Sequence, residues 1–238
     1  MDGRLTQGDK HVYEPNPNKY SRIDVYANAQ PYEMRGTLSF IAQYDVVGKQ
    51  DTFWLYLPAL RRVRRLSPAQ RTDRLPGGQD LMWENFDTFN GSPLNYTFKS
   101  LGQKEMLVVH NGNPRGEWIH GKHLAGPNDY YQKVKVWVNE MTPKDKNFPF
   151  SKVLHYVDPE TWYPYYGEWF DKKGNPYIFS CFQNAPTESG IIIPMVMNHV
   201  DLQNTHSTGY AVTNPQMNIG LTPDYFKVDN LKKQYPSR

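Results

Sequence analysis

A single cysteine, Cys181, excludes an internal disulfide and any zinc or iron–sulfur site built on several cysteines. Long apolar runs are missing too: nothing approaches the roughly 20 residues that span a bilayer. The opening residues, MDGRLTQGDKHVYEPNPNKY, contain no apolar core of a signal peptide. An excess of either charge is missing as well, with 27 Lys and Arg against 24 Asp and Glu for a net charge of +3, so no broad nucleic-acid footprint is present. No glycine-rich phosphate loop, nucleophile elbow or zinc-protease helix motif occurs, and nothing calls for a cofactor. Internal repeats and low-complexity stretches are absent as well.

What is abundant is aromatic. Of 238 residues 14% are aromatic, including 17 Tyr and 6 Trp, and Gly, Pro and Asn fall between short apolar runs. That composition favours strands joined by turns. Residues 1–35 are polar, carry Pro15, Pro17 and Pro31, and read as an extended N-terminal arm. Residues 36–238 read as one domain, a length that all-β sheets often fill alone.

The segment GTLSFIAQY (36–44) alternates as a strand, and residues 51–57 return antiparallel to it. A loop rich in Arg, Pro and Gly follows at 67–79. The run DLMWENFDTFN (80–90), with an Asp to cap it and Asn90-Gly91 to close it, predicts a short helix. Strands are expected at 95–101, 105–110 and 130–141, then a meander over 151–182 with turns at Asp158-Pro159-Glu160 and Lys173-Gly174-Asn175. Two more strands are expected at 191–200 and 209–213, and the tail LTPDYFKVDNLKKQY predicts a capped turn into a terminal helix. Nine or ten short antiparallel strands form a sheet too wide to stay flat, so a single sheet curling into a barrel or half-barrel around short helices is expected.

The most informative stretch is TFWLYLPALRRVRRLS (52–67), a hairpin with a Pro-Ala-Leu corner. Trp54 and Tyr56 alternate with Leu55 and Leu57, and a strand beyond the corner carries Arg61, Val63 and Arg65 on one face and Arg62, Arg64 and Leu66 on the other. Two readings stay open. The arginines either guard a solvated edge against strand-to-strand aggregation, or form a rim that binds anions or a membrane surface.

Other chemistry is sparse. His120 and His123, with His110 nearby, sit among Gly121, Gly126 and Pro127 and read as a polar loop; no metal site is expected. Glu84 and Asp87 read as solvated helix-face carboxylates, and Cys181 between two Phe residues as a buried hydrophobe. The aromatic set remains: Trp54, Tyr56, Trp137, Trp162, Tyr165 and Trp169, with Tyr163 and Tyr166 beside them. Such rings are either core packing or the lining of a cavity for sterol-like, terpenoid or acyl ligands.

Taken together, WLYLPALRRVRRLS, ENFDTFNGSPLNYTFKSLGQKEM, VLHYVDPETWYPYYGEWFDKKGN and the closing TPDYFKVDNL resemble a bacterial family, domain of unknown function 1329. That family is labelled outer-membrane lipoprotein-sorting protein and grouped with the LolA-like carriers. The resemblance implies a half-barrel of antiparallel strands around short helices, an apolar cavity that takes lipid-like molecules, export to the periplasm, and in some members a gene beside those of exporters of the resistance-nodulation-division type. On that basis the chain is expected to be a non-catalytic periplasmic carrier of a hydrophobic ligand or lipidated protein. Arg61, Arg62, Arg64 and Arg65 would then sit at the cavity mouth, facing an anionic headgroup or a membrane transporter. The alternatives are an accessory subunit of a larger extracytoplasmic assembly and, third, an enzyme on the same scaffold.

Overall fold

In the computed structural model, residues 16–29, 32–46, 49–75, 78–110, 117–120, 125–188, 190–212, 214–217 and 219–234 are described. Two compact units emerge, one of residues up to Gln70 with Gln216 onward, the other Arg71–Pro215.

The first unit is built on a four-stranded antiparallel sheet ordered β1-β2-β3-β4, with β1 at Tyr20–Ala27, β2 at Leu38–Tyr44, β3 at Thr52–Leu57 and β4 at Arg62–Leu66. Strand β1 falls within the segment read as an arm and pairs along β2 from Tyr20↔Tyr44 to Ala27↔Leu38. The hairpin of β3 and β4 turns through a 3-10 corner, Pro58–Leu60, where Pro58 needs no N–H and Arg61 takes a left-handed φ of 49°. Cross-strand pairs Trp54↔Arg65 and Tyr56↔Val63 fix one face, Leu55↔Arg64 and Leu57↔Arg62 the other. A 3-10 turn, Pro223–Phe226, and the helix α1, Val228–Gln234, follow near the C-terminus. Ile23, Phe40, Ala42 and Phe226 form this unit's buried cluster, flanked by Tyr20, Val25, Tyr44, Trp54, Leu221 and Tyr225.

The second unit carries a seven-stranded antiparallel sheet ordered β13-β12-β11-β10-β9-β8-β5. Its strands are β5 Tyr96–Val109, β8 Tyr131–Pro143, β9 Phe150–Val157, β10 Pro164–Asp171, β11 Pro176–Pro186, β12 Ile192–Asp201 and β13 His206–Ala211; β6 Glu117–His120 and β7 Ala125–Asn128 form a separate two-stranded ribbon. The two strands expected at 95–101 and 105–110 are one, β5, kinked where the register shifts between Ser100 and Gln103. Gly102 there has φ 90°, a conformation a side chain disfavours. The meander turns form as expected. The Asp158 carboxylate accepts from the N–H groups of Glu160 and Thr161, and that of Asp171 from those of Lys173 and Asn175.

Two expectations are corrected. The sheet is not single: after β4 the chain leaves the ladder, and residues 67–95 make 3-10 turns and one isolated bridge, Arg74↔Met82, before β5 begins a new sheet. Nor is the sheet wrapped around several short helices, since α1 is the one α-helix among the described residues. Residues 80–90 in particular hold only a 3-10 turn, Phe86–Thr88, with Asp87 and Thr88 at φ 50° and 75°. The reason lies in burial. Leu81, Met82, Trp83, Glu84, Asn85, Phe86, Thr88 and Asn90 are all buried, on more sides than one helical face offers.

Candidate functional site

The inner face of the seven-stranded sheet is occupied by the chain itself. Along β10, Gly167 and Trp169 share a face with Val153 and His155 of β9, Ile178 and Ser180 of β11, and His199 and Asp201 of β12. Trp169 is fully buried, packed with Met82, Tyr96, Met141, Phe150, Val153 and Ile178, and Phe89 sits edge-on to His155. Residues 82–96 therefore fill the space against this face.

Charge ties that filling segment down. Arg71 Nε donates to Glu84 Oε2 at 2.8 Å and Tyr96 OH donates to Glu84 Oε1 at 2.7 Å, all three residues being buried. Arg71 Nη2 also donates to the carbonyl of Asn90. A second group centres on Arg74, whose guanidinium reaches Asp80 and Asp201 and donates to Tyr177 OH at 2.9 Å. Asp80 in turn bonds His206 Nδ1 at 2.6 Å and Thr208 Oγ1 at 3.0 Å, linking the segment to β13. Burial opposes ionisation of Asp201, yet donors from Asn204, Arg74 and Gln203 hold its carboxyl below the usual range. Glu84 is thus no solvated helix-face residue but half of a buried ion pair. A carboxylate set among Leu81, Met82, Trp83 and Phe86 was the available signal, and its partner Arg71, 13 residues away, was not visible without the fold.

Two buried histidines on the inner face stay neutral. Burial lowers His155 to about 4 and His199 to about 3, the latter with Nδ1 2.8 Å from Ser180 Oγ. Burial also pushes the Cys181 thiol up to about 12, in keeping with a hydrophobe and not a nucleophile. At another end of the sheet Tyr165 OH donates to Asp158 Oδ2 and lies against His110 Nδ1. The side chain of His120 and all of His123 lie outside the described residues. Among the described residues no three His, Cys, Asp or Glu side chains gather as metal ligands, and no helix is long and apolar enough to cross a membrane.

The aromatic set does not meet at one place. Trp169 and Tyr165 are buried in separate packed clusters, while Trp162, at φ 62°, is 66% exposed on the turn before β10. Trp137 is half-buried on β8 opposite Val157. Trp54 and Tyr56, in the first unit, are half-buried together on one face of β3. Trp54 stacks on Phe40 with ring centroids 4.3 Å apart, and Lys232 Nζ lies 4.6 Å from the centre of the Tyr56 ring. Leu221 and Tyr225 pack, as Trp54 does, against the buried cluster of Ile23, Phe40, Ala42 and Phe226, and also line a surface hollow of about 470 Å³, together with Gly220, Thr222, Asp224, Asn230 and Lys233. Arg61, Arg62, Arg64 and Arg65 are all exposed, the last three along the edge strand and Arg61 in the left-handed corner before it, so Arg61 does not share a strand face with Val63 and Arg65.

With these strands and clusters placed, comparison becomes informative. Residues 4–232 match the family described as Protein of unknown function (DUF1329). The chain belongs to this family. An uncharacterized protein of Pseudomonas aeruginosa is 26% identical over 178 residues, covering 67% of this chain and 38% of that relative's length. The chain thus spans well under half the length of that curated relative. Among solved structures, a domain named for outer membrane lipoprotein sorting from Vibrio parahaemolyticus superposes with a TM-score of 0.69 at 22% identity, over 87% of this chain and 76% of the other. A DUF1329 family protein from Desulfovibrio piger gives a TM-score of 0.66 at 20% identity, over 87% and 75%. A LolA superfamily protein from Nitrosomonas europaea gives 0.51 at 16%, over 89% and 79%. The fold is therefore LolA-like, mainly antiparallel β with few helices.

Proposed function

We propose that this DUF1329 protein is a non-catalytic, extracytoplasmic binding protein that carries a hydrophobic, lipid-like ligand or the acyl group of a lipidated protein. The LolA-like fold supports a carrier role, and with it a periplasmic location. The observation that carries the reading is the half-buried aromatic face of β3, with Trp54 and Tyr56, in the same unit as a surface hollow of about 470 Å³, a volume in the range of small-molecule sites, whose Leu221 and Tyr225 pack against the same buried cluster as Trp54. The inner face of the seven-stranded sheet is filled by its own residues 82–96, so the ligand is assigned to the first unit, and Trp169 and Tyr165 to packing. Burying about ten methylenes there contributes on the order of 8 kcal/mol before ordering costs, enough for a roughly micromolar complex. A carrier that must release its load needs no more.

A fluorescent fatty acid should quench Trp emission saturably at micromolar concentration, and Trp54→Ala should raise the concentration needed for half-saturation, at some cost in melting temperature because the ring also stacks on Phe40. Absence of saturable quenching overturns the proposal. A second reading, an accessory subunit of a larger assembly, is favoured by the filled inner face of the second unit. Native mass spectrometry of protein purified from its source separates the two, a bound lipid supporting the carrier and a stoichiometric protein the subunit.

A further inference from the structure

The four arginines of the β4 hairpin have no assigned work within the molecule. Among the described residues, none of the side chains of Arg61, Arg62, Arg64 and Arg65 has a hydrogen bond or ion pair, and no acidic residue occurs between Asp51 and Asp73. All four are exposed, Arg61 at the corner and Arg62, Arg64 and Arg65 on the edge strand, so four positive charges without a partner among the described residues lie within five consecutive positions. Beside them the hairpin corner ends in Leu60, 63% exposed, and among them on β4 stands Val63, 45% exposed. The left-handed turn at Arg61 closes that corner.

We infer that this hairpin is a docking surface for an anionic lipid bilayer. An edge strand also invites pairing with an extended acidic peptide, but here Arg62 and Arg64 project to one face and Arg65 to the other, the pattern that discourages an added strand. Neither does a peptide ladder account for the bare leucine at the turn. A bilayer interface takes both features at once: headgroup phosphates receive the guanidinium groups as bidentate donors, and Leu60 enters the apolar boundary beneath them. This inference is independent of the ligand assigned above, because it concerns where the protein docks and not what it holds.

The test is co-sedimentation of the full chain with vesicles of phosphatidylcholine containing one quarter phosphatidylglycerol, against vesicles of phosphatidylcholine alone. Binding is expected only to the anionic vesicles and should fade as salt rises and the Debye length shrinks. Each arginine near such a surface changes partitioning about fivefold, so Arg62→Ser with Arg64→Ser should weaken it roughly 25-fold. The melting temperature should hold, since exposed unpaired charges add little to stability. The salt titration of the unaltered protein gives an answer even if the variant folds poorly. Equal binding to neutral vesicles, an unaffected double variant, or binding to an acidic peptide without binding to anionic vesicles would each overturn the inference. Loss of vesicle binding with fatty-acid quenching intact leaves the carrier reading untouched.

Discussion

Placing a methyl group at Gly91 should destabilise the protein through two neighbours, Glu84 above all and Phe89. A Cβ built there falls inside the van der Waals envelope of Glu84 Oε1, 2.8 Å from Glu84 Cδ and 2.9 Å from Phe89 Cε2. Relief requires the carboxylate to move away, and that carboxylate accepts from Arg71 Nε at 2.8 Å and Tyr96 OH at 2.7 Å. A shift of an ångström takes both bonds beyond useful length. Hydrogen bonds to charged groups contribute about 1.5–3 kcal/mol each, and breaking a buried ion pair costs about 3–5 kcal/mol. Gly91→Ala is therefore expected to cost roughly 3–5 kcal/mol, which for a chain of this size lowers the melting temperature by roughly 10 °C. Urea unfolding followed by near-UV circular dichroism measures it. The decisive experiment is a double-mutant cycle with Glu84→Ala: once the carboxylate is gone the closest clash is relieved and only the Phe89 edge remains, so the two costs should fall short of additive. A Gly91→Ala cost below about 0.5 kcal/mol, or full additivity with Glu84→Ala, would refute the reasoning.

Acid should weaken the fold before its carboxylates are neutralised. His155 and His199 are held neutral by burial, at about 4 and about 3, whereas in the unfolded chain each takes a proton near 6.5. Their contribution is complete above that unfolded value and is lost as pH falls toward the folded values, with a slope approaching about 2.7 kcal/mol per pH unit for two protons. Urea unfolding at pH 7 and pH 5 checks this; equal stability at both would show that the pair is not buried neutral. Trp169→Ala should cost about 3–5 kcal/mol, since the ring is fully buried in a filled cluster, and should leave fatty-acid quenching by the remaining folded protein unchanged in affinity. An affinity loss there would move the ligand site to the second unit.

Local chemistry was enough to read the β3–β4 hairpin, the meander of β9 to β11 and the terminal turn and helix. In each, the two-residue alternation of strands and the Asp, Pro and Gly that terminate them act within a few positions of sequence. Family membership was legible too, because motifs such as LPALRRVRRL and DPETW are contiguous. Residues 80–90 were misread for the converse reason. A capping Asp and a closing Asn-Gly describe a helix, but Glu84 is claimed by Arg71 and Tyr96, and Asp80 by Arg74, His206 and Thr208, the last two more than 120 residues away. Tertiary pairing of buried charge outweighs a helix propensity of a few tenths of a kcal/mol per residue. The same limit scattered the aromatic set. Alternation places a ring on one face of a strand, but whether that face meets solvent, a neighbouring ring or the chain's own residues 82–96 depends on which segments the fold stacks against it. Only the tertiary structure decides that.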